Sequence, residues 1–205
     1  MKLRKQIFAC MLLKTDQVNH LIYGMYKSQL FGNLNGLVVE IGPGSGINFR
    51  YLPNGLNWVG IEPNEAFHKV LLAQADDKEI NAKLYAGDAS LIPLPDNTAD
   101  FILCTLVLCS VADPSGVMGE MKRVLKPGGK LIFIEHVAAP KQTLLRSIQN
   151  LINPLNRFMA DGCNCNRETW TFFENGKFAR VELSHHDIKG VLPFHRPHIM
   201  GFAVK

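Results

Sequence analysis

In "LVVEIGPGSG", residues 37–46, a short apolar run is followed by three glycines at alternate positions. Gly42, Gly44 and Gly46 carry no Cβ atom, so a ligand can approach the backbone there at close range. A strand that enters such a turn and continues into a helix presents backbone N–H groups to that ligand. Position 47 is Ile, so the spacing is G-x-G-x-G rather than the G-x-G-x-x-G of dinucleotide-binding turns. The pattern therefore predicts a ligand-binding turn and argues against a nicotinamide dehydrogenase.

Three carboxylates lie where predicted strands end. Glu40 lies two residues before the first glycine, Glu62 ends the next strand, and Asp88 follows the third strand. A carboxylate after the second strand can accept hydrogen bonds from both hydroxyls of a ribose. One after the third strand can accept a hydrogen bond from an exocyclic amine. Because open parallel sheets bind ligands at the carboxyl ends of their strands, we expect the three acids to line one site.

An alternation of strands and helices positions these residues. Short apolar runs predict strands at 37–41, 58–61, 83–86, 101–108 and 130–135, with helices between them at 45–52, 64–76 and 114–125. Asp113 and Pro114 are the expected N-cap and first residue of the last of these helices. Strands that alternate with helices are joined by crossovers, which predicts an α/β fold with a mostly parallel sheet.

The two ends of the chain flank this alternation. A helix over 15–31 is predicted to begin with Thr15 as its cap. Beyond residue 137 we predict helices at 144–151, ending before Pro154, and at 167–174, followed by an antiparallel edge pair of strands at 178–183 and 198–204. We expect one domain over 1–205, made of an N-terminal helical cap or lid (1–31), a ligand-binding core (36–137) and substrate-side helices with the last two strands (138–205).

Composition and cysteine usage narrow the classes of function. The net charge is +4 and no basic block alternates with aromatic residues, so we expect no nucleic-acid partner. The five cysteines and the lack of a cleavage site after the first apolar patch favour a cytoplasmic protein with free thiols. Cys163-x-Cys165 has no second matching pair, so no metal site is expected. The basic and apolar residues 1–13 form either a helix end packed on the domain or a peripheral contact with a membrane surface.

The motifs, taken in order, resemble those of a known family. "VVEIGPGSG", "GIEPN", "AGDASLIPLPDNTADFILC" and "RVLKPGGKLIFIEH" are similar to the successive motifs of class I S-adenosylmethionine-dependent methyltransferases with a type 11 methyltransferase domain. The resemblance covers about residues 36–137. It implies a Rossmann-like, seven-stranded, mostly parallel sheet with an antiparallel C-terminal strand pair and helices on both faces.

The same resemblance implies a cofactor and the residues that bind it. The cofactor is S-adenosyl-L-methionine and the product S-adenosyl-L-homocysteine. In that family the glycine turn holds the methionine part, the acid at Glu62 binds the ribose, Asp88 with Ala89 frames the adenine, and the segment after the fourth strand contacts cofactor and substrate. The residues implied in cofactor binding are Glu40, Gly42, Pro43, Gly44, Ser45, Gly46, Glu62, Pro63, Asn64, Asp88, Ala89, Thr105 and Leu106.

Four further stretches resemble a subfamily. "CTLVLCSV" at 104–111, "EHVAAP" at 135–140, "DGCNCNRETW" at 161–170 and "RPHIMGFAVK" at 196–205 are similar to the methyltransferase-like small-thiol S-methyltransferases. This similarity implies methyl transfer to a small molecule, with small alkyl thiols as the leading acceptors. Transfer to a phospholipid headgroup or a quinone stays open as an alternative, as does a non-catalytic module that only binds the cofactor.

Two side chains are candidate catalytic residues. A thiol reacts as its thiolate, so a base near the acceptor would help an in-line displacement that forms no covalent enzyme intermediate. His136 follows the fifth strand, and histidine side chains ordinarily suit general-base catalysis at neutral pH. His136 could instead hydrogen-bond a loop and fix its geometry. Asp161, in the "DGC" stretch, either orients the substrate or accepts a proton, or is a turn acid before Gly162.

Overall fold

A computed structural model describes residues 2–205, with side chains from Arg4 onward. Seven strands form one sheet: β1 (Leu37–Ile41), β2 (Asn57–Ile61), β3 (Asn81–Tyr85), β4 (Ala99–Thr105), β5 (Leu125–His136), β6 (Arg180–Asp187) and β7 (Pro197–Val204). Their order across the sheet is β3-β2-β1-β4-β5-β7-β6. Neighbours among β1 to β5 pair in parallel, and β7 is antiparallel to both β5 and β6. The Rossmann-like α/β fold with an antiparallel C-terminal pair is thereby confirmed.

Helices cover both faces of the sheet. They are α1 (Lys2–Phe31), α2 (His68–Asp77), α3 (Pro114–Val124), α4 (Leu144–Met159) and α5 (Trp170–Glu174), with short 3₁₀ helices at Ile47–Tyr51, Glu65–Phe67 and Pro193–His195. Successive residues of a strand point to opposite faces, and Val38 and Val39 accordingly belong to two different hydrophobic clusters. The Val38 cluster contains residues of α1 and α2, and the Val39 cluster contains residues of α3 and α5.

The N-terminal helix is longer than the sequence predicted. It begins at Lys2, and Thr15 is not its cap, because the Thr15 hydroxyl lies mid-helix and donates to the carbonyl of Leu12 at 2.9 Å. The helix extends because Phe8, Ala9 and Leu12 pack on the Val38 cluster, so tertiary contact stabilises the first turns. Within residues 2–205, no helix combines the length and the apolar character that crossing a bilayer requires.

Pro154 does not end α4, which also differs from the prediction. The helix runs on to Met159, because the polar side chains of its inner face are held by the loop at 163–165. Asn156 donates to the carbonyl of Cys163 at 2.8 Å, and the Asn153 side-chain oxygen accepts from the backbone N–H of Cys165 at 3.0 Å. These bonds offset the one helical bond that a proline inside a helix forfeits.

The helix expected after the glycine turn is a single 3₁₀ segment. Gly46 is its N-cap with a φ of 82°, and the N–H of Phe49 donates to the carbonyl of Gly46 at 2.9 Å, an i to i+3 bond. The helix predicted at 114–125 is confirmed as α3. Asp113 caps it by accepting from the N–H of Gly116 at 3.0 Å, and Pro114 occupies its first turn.

Candidate active site

A cavity of about 610 Å³ lies at the carboxyl ends of the parallel strands. The glycine turn after β1, Glu62 after β2, Asp88 after β3, Thr105 at the end of β4 and His136 at the end of β5 all line it. The helix α1 covers it from one side with the six residues Lys5, Phe8, Leu12, Asn19, Tyr23 and Lys27. Neighbouring strands are about 4.8 Å apart, so the ends of β1 and β5 are separated by roughly 10 Å along this edge.

The glycine turn has a conformation that few other residues adopt. Gly42 and Gly44 have φ values of 59° and 56°. A Cβ atom at Gly42 would lie 2.9 Å from Val107, and one at Gly44 would lie 3.1 Å from Leu12 of α1. The glycines are therefore required by backbone conformation and by the close approach of neighbouring protein segments.

The turn also fixes the carboxylate of Glu62, which is 5% exposed. One carboxylate oxygen accepts from the N–H of Gly44 at 3.0 Å and the other from the N–H of Asn64 at 2.8 Å. Burial raises the pKa of this carboxyl, and the two backbone donors oppose the rise. Each oxygen keeps an unused lone-pair direction, so Glu62 can accept from a pair of ligand hydroxyls.

Glu40 lies outside the cavity lining and is fully buried. Its two oxygens accept from the side chains of Asn48 at 2.7 Å and Trp58 at 2.9 Å. Asn48 also donates to the Thr105 hydroxyl at 3.0 Å, and its own side-chain oxygen is buried with no hydrogen-bond partner. Since Asn48 lines the cavity, Glu40 orients an amide whose free oxygen can accept from a ligand.

Except for Gly46, which caps the 3₁₀ segment and lies outside the lining, the remaining residues proposed for the cofactor surround the same space. Pro43, Ser45, Pro63, Asn64, Ala89 and Leu106 line the cavity together with Asp88, whose carboxylate accepts from the N–H of Ser90 at 2.8 Å. Leu106 has a φ of 58°, which is rare for a branched side chain. Glu135, which the sequence did not single out, holds the segment after β4 by accepting from the N–H groups of Val107 and Leu108 at 2.9 and 3.2 Å.

His136 lies with two thiols at the β5 end of the cavity. Its Nε2 atom is 2.8 Å from the Sγ of Cys163, and its Nδ1 atom has no hydrogen-bond partner. The ligand atoms of Cys109, His136 and Cys163 all lie within 4.8 Å of one another, and the three residues are buried. No local sequence pattern predicts this association, because the three residues lie in separate segments of the chain and Cys163-x-Cys165 has no second matching pair.

The side chains of this cluster influence one another's pKa values. A hydrogen bond from Cys163 is the largest influence that lowers the pKa of Cys109, with His136 adding to it, while burial opposes the shift. Burial is the largest influence on the pKa of His136 and lowers it, but the charge of Cys109, a hydrogen bond with Cys109 and the charge of Glu135 together raise it overall. Burial lowers the pKa of His195, whose ring centre is 4.9 Å from that of His136, to about 4.

Asp161 and α1 close the cavity beside this cluster. Asp161 lines the cavity and accepts from Arg4 of α1 at 3.0 Å. Tyr23 of α1 forms a 2.9 Å hydrogen bond with Nε2 of His198, which also lines the cavity. His185 and His186 on β6 are outside the lining.

Lys27 lines the cavity but was not singled out from the sequence. Its side chain is 4% exposed. Burial lowers the pKa of Lys27 to about 8, and the charge of Glu40 partly opposes this shift.

Comparison with known proteins agrees with this architecture. A methyltransferase domain family matches residues 39–133. The human thiol S-methyltransferase TMT1A is 35% identical over 190 residues, and human TMT1B is 36% identical over 192 residues; each alignment covers 87% of this chain and 78% of the relative. A solved S-adenosylmethionine-dependent methyltransferase from Thermotoga maritima has a TM-score of 0.69 at 19% identity, covering 100% of both chains.

The two relatives and the domain match show an S-adenosylmethionine-dependent methyltransferase, an enzyme that methylates a small molecule. The Thermotoga maritima structure shares its fold. Within that class, the chain belongs to the family of the thiol S-methyltransferases. The cavity suits the cofactor of that class, because it offers a fixed carboxylate at Glu62 and an unpartnered buried amide oxygen at Asn48. A sulfonium ligand with a ribose and an ammonium group supplies the donors that these acceptors lack.

Proposed function

We propose that the protein transfers a methyl group to a small alkyl thiol. The observation that carries the proposal is the buried imidazole of His136, which lines the same cavity as the glycine turn. His136 ends β5, two strands along the sheet from β1, which leads into that turn. A small buried end of a cavity suits a small nucleophile that must lose a proton before it reacts. The similarity to relatives named as thiol S-methyltransferases supports the same acceptor class.

The cofactor half of the cavity is assigned to the ends of β1, β2 and β3. We propose that Glu62 accepts from the ribose hydroxyls and that Asp88 and Ala89 flank the adenine. The glycine turn, with Asn48 beside it, would hold the methionine part. Glu40 contributes through Asn48 rather than by direct contact, since its oxygens are taken by Asn48 and Trp58.

The acceptor half is assigned to the ends of β4 and β5. Bound S-adenosylmethionine supplies an activated methyl group, so the protein chiefly binds, orients and excludes water. His136 promotes the loss of the acceptor's proton. Asp161 positions the acceptor together with Arg4, whose guanidinium is 3.0 Å from its carboxylate. The loop of Asp161 and the helix α1 would then order as one unit around the bound acceptor.

We also propose a peripheral contact with a membrane surface. The outer face of α4 exposes Leu144, Leu151, Leu155 and Phe158, and α1 exposes Ile7 and Met11. Arg4 lies over the ring of Phe158, which joins the two apolar faces beside a basic residue. Helices of this kind lie in the interface of an anionic bilayer. The same faces favour a phospholipid headgroup or a quinol as the second candidate acceptor, since either would reach the cavity from the membrane.

The acceptor can be tested by the transfer of a labelled methyl group to a panel. The panel contains hydrogen sulfide, mercaptoethanol, phosphatidylethanolamine in vesicles and a quinol. We expect transfer to the two thiols alone. Transfer to lipid or quinol alone would leave the enzyme class intact and overturn the thiol acceptor. Sedimentation with vesicles of anionic lipid, compared with neutral vesicles, tests the membrane contact separately.

A matched pair of variants tests the role of His136. His136→Asn removes a cavity-lining imidazole, and His185→Asn removes an exposed one on β6. Loss of a group that assists proton transfer typically lowers turnover by about 10²–10⁴-fold. We expect that loss for His136→Asn, with wild-type turnover for His185→Asn. Equal turnover in the two variants would remove His136 from the reaction.

A further inference from the structure

Cys109, His136 and Cys163 come from three separate segments of the chain. Cys109 follows β4, His136 ends β5, and Cys163 lies in the loop after α4. Their candidate ligand atoms lie within 4.8 Å of one another, and all three residues are buried and line the cavity. Within residues 2–205 this is the one cluster of three or more such side chains with that spacing.

We propose that these three side chains form a zinc site whose fourth position faces the cavity and binds the acceptor as a thiolate. The inference rests on the proposed thiol acceptor and gives His136 a definite role in the loss of its proton. It differs from the sequence expectation, which considered only Cys163 with Cys165 and found no matching pair.

The donor set suits zinc, and the spacing of the ligand atoms comes close to what zinc requires. Two thiolates and an imidazole are ligands that this metal prefers, and three protein ligands with one free position are typical of catalytic zinc. Tetrahedral bonds of about 2.0–2.3 Å place ligand atoms roughly 3.5–3.8 Å apart. The Nε2 of His136 is 2.8 Å from the Sγ of Cys163, so these two atoms must separate by about 1 Å or less to admit the ion.

Asn164 in the loop after α4 and Asn156 in α4 itself hydrogen-bond to the two cysteines. Asn164 donates to the carbonyl of Cys109 from its backbone N–H at 2.9 Å and from its side chain at 3.0 Å. The side chain of Asn156 donates to the Sγ of Cys163 at 3.3 Å. Such bonds to the ligands are what metal sites use to fix the first coordination shell.

A buried polar atom without a partner also lies in the ring that neighbours His136. The ring of His195 lies 4.9 Å from that of His136, lines the cavity, and has a buried Nε2 with no hydrogen-bond partner. This nitrogen can accept a hydrogen bond from a bound ligand. A thiol that binds the metal releases its proton to solvent and is held as the thiolate. The sulfur of the bound thiolate then forms a C–S bond to the methyl carbon. The old C–S bond of the sulfonium breaks and its electron pair stays on the cofactor sulfur, so that a neutral thioether leaves.

The first test is the zinc content of the full-length protein, purified without chelator under reducing conditions. We expect one zinc per chain by mass spectrometry for the wild type and for Cys165→Ser, which alters a buried cysteine of the same loop. We expect at least a tenfold loss for Cys109→Ser and for Cys163→Ser. Circular dichroism confirms that each variant is folded. Wild-type zinc content in both variants, or a wild type that binds none, would overturn the site.

A second measurement uses only the wild type and so does not depend on variants that fold. Cobalt exchanged into the site should give a thiolate-to-metal absorption band that shifts when mercaptoethanol is added. A band that does not respond to the thiol would overturn the proposed fourth position.

Activity then separates this inference from the proposed function. Unchanged thiol methylation after zinc is stripped would overturn the metal's role and leave the thiol acceptor standing. A zinc-loaded protein whose cobalt form responds to thiols, but which methylates none of them, would support the site and overturn the proposed reaction.

Discussion

Replacing Glu62 with Gln changes one atom of the cavity wall and removes its charge. The two carboxylate oxygens are each held by one backbone donor, the N–H of Asn64 at 2.8 Å and that of Gly44 at 3.0 Å. A glutamine amide can accept from only one of these donors, and its NH₂ group then faces the other N–H. The substitution therefore disturbs both the ligand acceptor and the turn that positions it.

The expected loss of affinity follows from these contacts. A hydrogen bond to a charged group contributes about 1.5–3 kcal/mol. Loss of one such bond to the ribose weakens binding of S-adenosylhomocysteine by about 10- to 150-fold. The orphaned backbone N–H costs a further ~1–3 kcal/mol in the free energy of unfolding. Neutralising a carboxyl whose pKa is raised by burial offsets part of that second cost.

Calorimetry with S-adenosylhomocysteine measures the first effect, and urea unfolding measures the second. Glu65→Gln is the matched control, because Glu65 lies three residues away, is exposed and is outside the cavity lining. A dissociation constant within twofold of the wild type for Glu62→Gln would refute the assignment of the ribose to this carboxylate. Equal weakening in both variants would show that the effect is one of overall charge.

Three other substitutions test separate parts of the structure. Asp88→Ala should weaken S-adenosylhomocysteine binding about tenfold in the same calorimetry by removing one charge-assisted hydrogen bond; unchanged affinity would place the adenine elsewhere. Gly44→Ala should cost ~1–2 kcal/mol in urea unfolding, because φ is 56° and the new methyl group lies 3.1 Å from Leu12, whereas an unchanged midpoint would mean that the turn relaxes freely. Burial lowers the pKa of Lys27 from 10.5 to about 8. Between pH 8 and pH 10.5 the folded protein has lost this proton and the unfolded chain still holds it. The free energy of unfolding should therefore rise by about 3 kcal/mol as the pH increases across this range. Lys27→Met should lack that rise in urea titrations across the same range, and an identical pH dependence in both proteins would contradict the shift.

The strands could be predicted from the sequence because each has a local signature. Apolar runs placed β1 at its observed bounds and β2, β3 and β4 within three residues of theirs, whereas β5 begins five residues earlier than predicted. The elements whose observed bounds differ from the predicted ones are those whose length depends on contacts with residues distant in sequence. The start of α1 is stabilised by packing of Phe8 and Leu12, and α4 passes Pro154 because its asparagines bond to a loop.

The candidate site divides in the same way. The residues proposed for the cofactor follow consecutive strands, so sheet topology alone brings Glu62 and Asp88 to one edge with the glycine turn. The acceptor end depends on where the loop after α4 folds back. That loop brings Cys163 to within 2.8 Å of His136, and no local pattern encodes such an approach. Histidine and cysteine also occur singly in buried cores, so their types alone gave no reason to group them.

The position of β7 has a consequence for biosynthesis. β7 is the last strand along the chain, yet it lies between β5 and β6 and pairs with both. β6 therefore leaves the ribosome before β7, its pairing partner. One edge of β5 stays unpaired until β7 has been synthesised. Since unpaired edges of this kind recruit other strands, we expect nascent chains that stop short of β7 to depend on chaperones. Tyr23 of α1 hydrogen-bonds to His198 of β7. The contact between the cavity-covering helix α1 and the sheet at this point therefore also forms only after β7 has been synthesised.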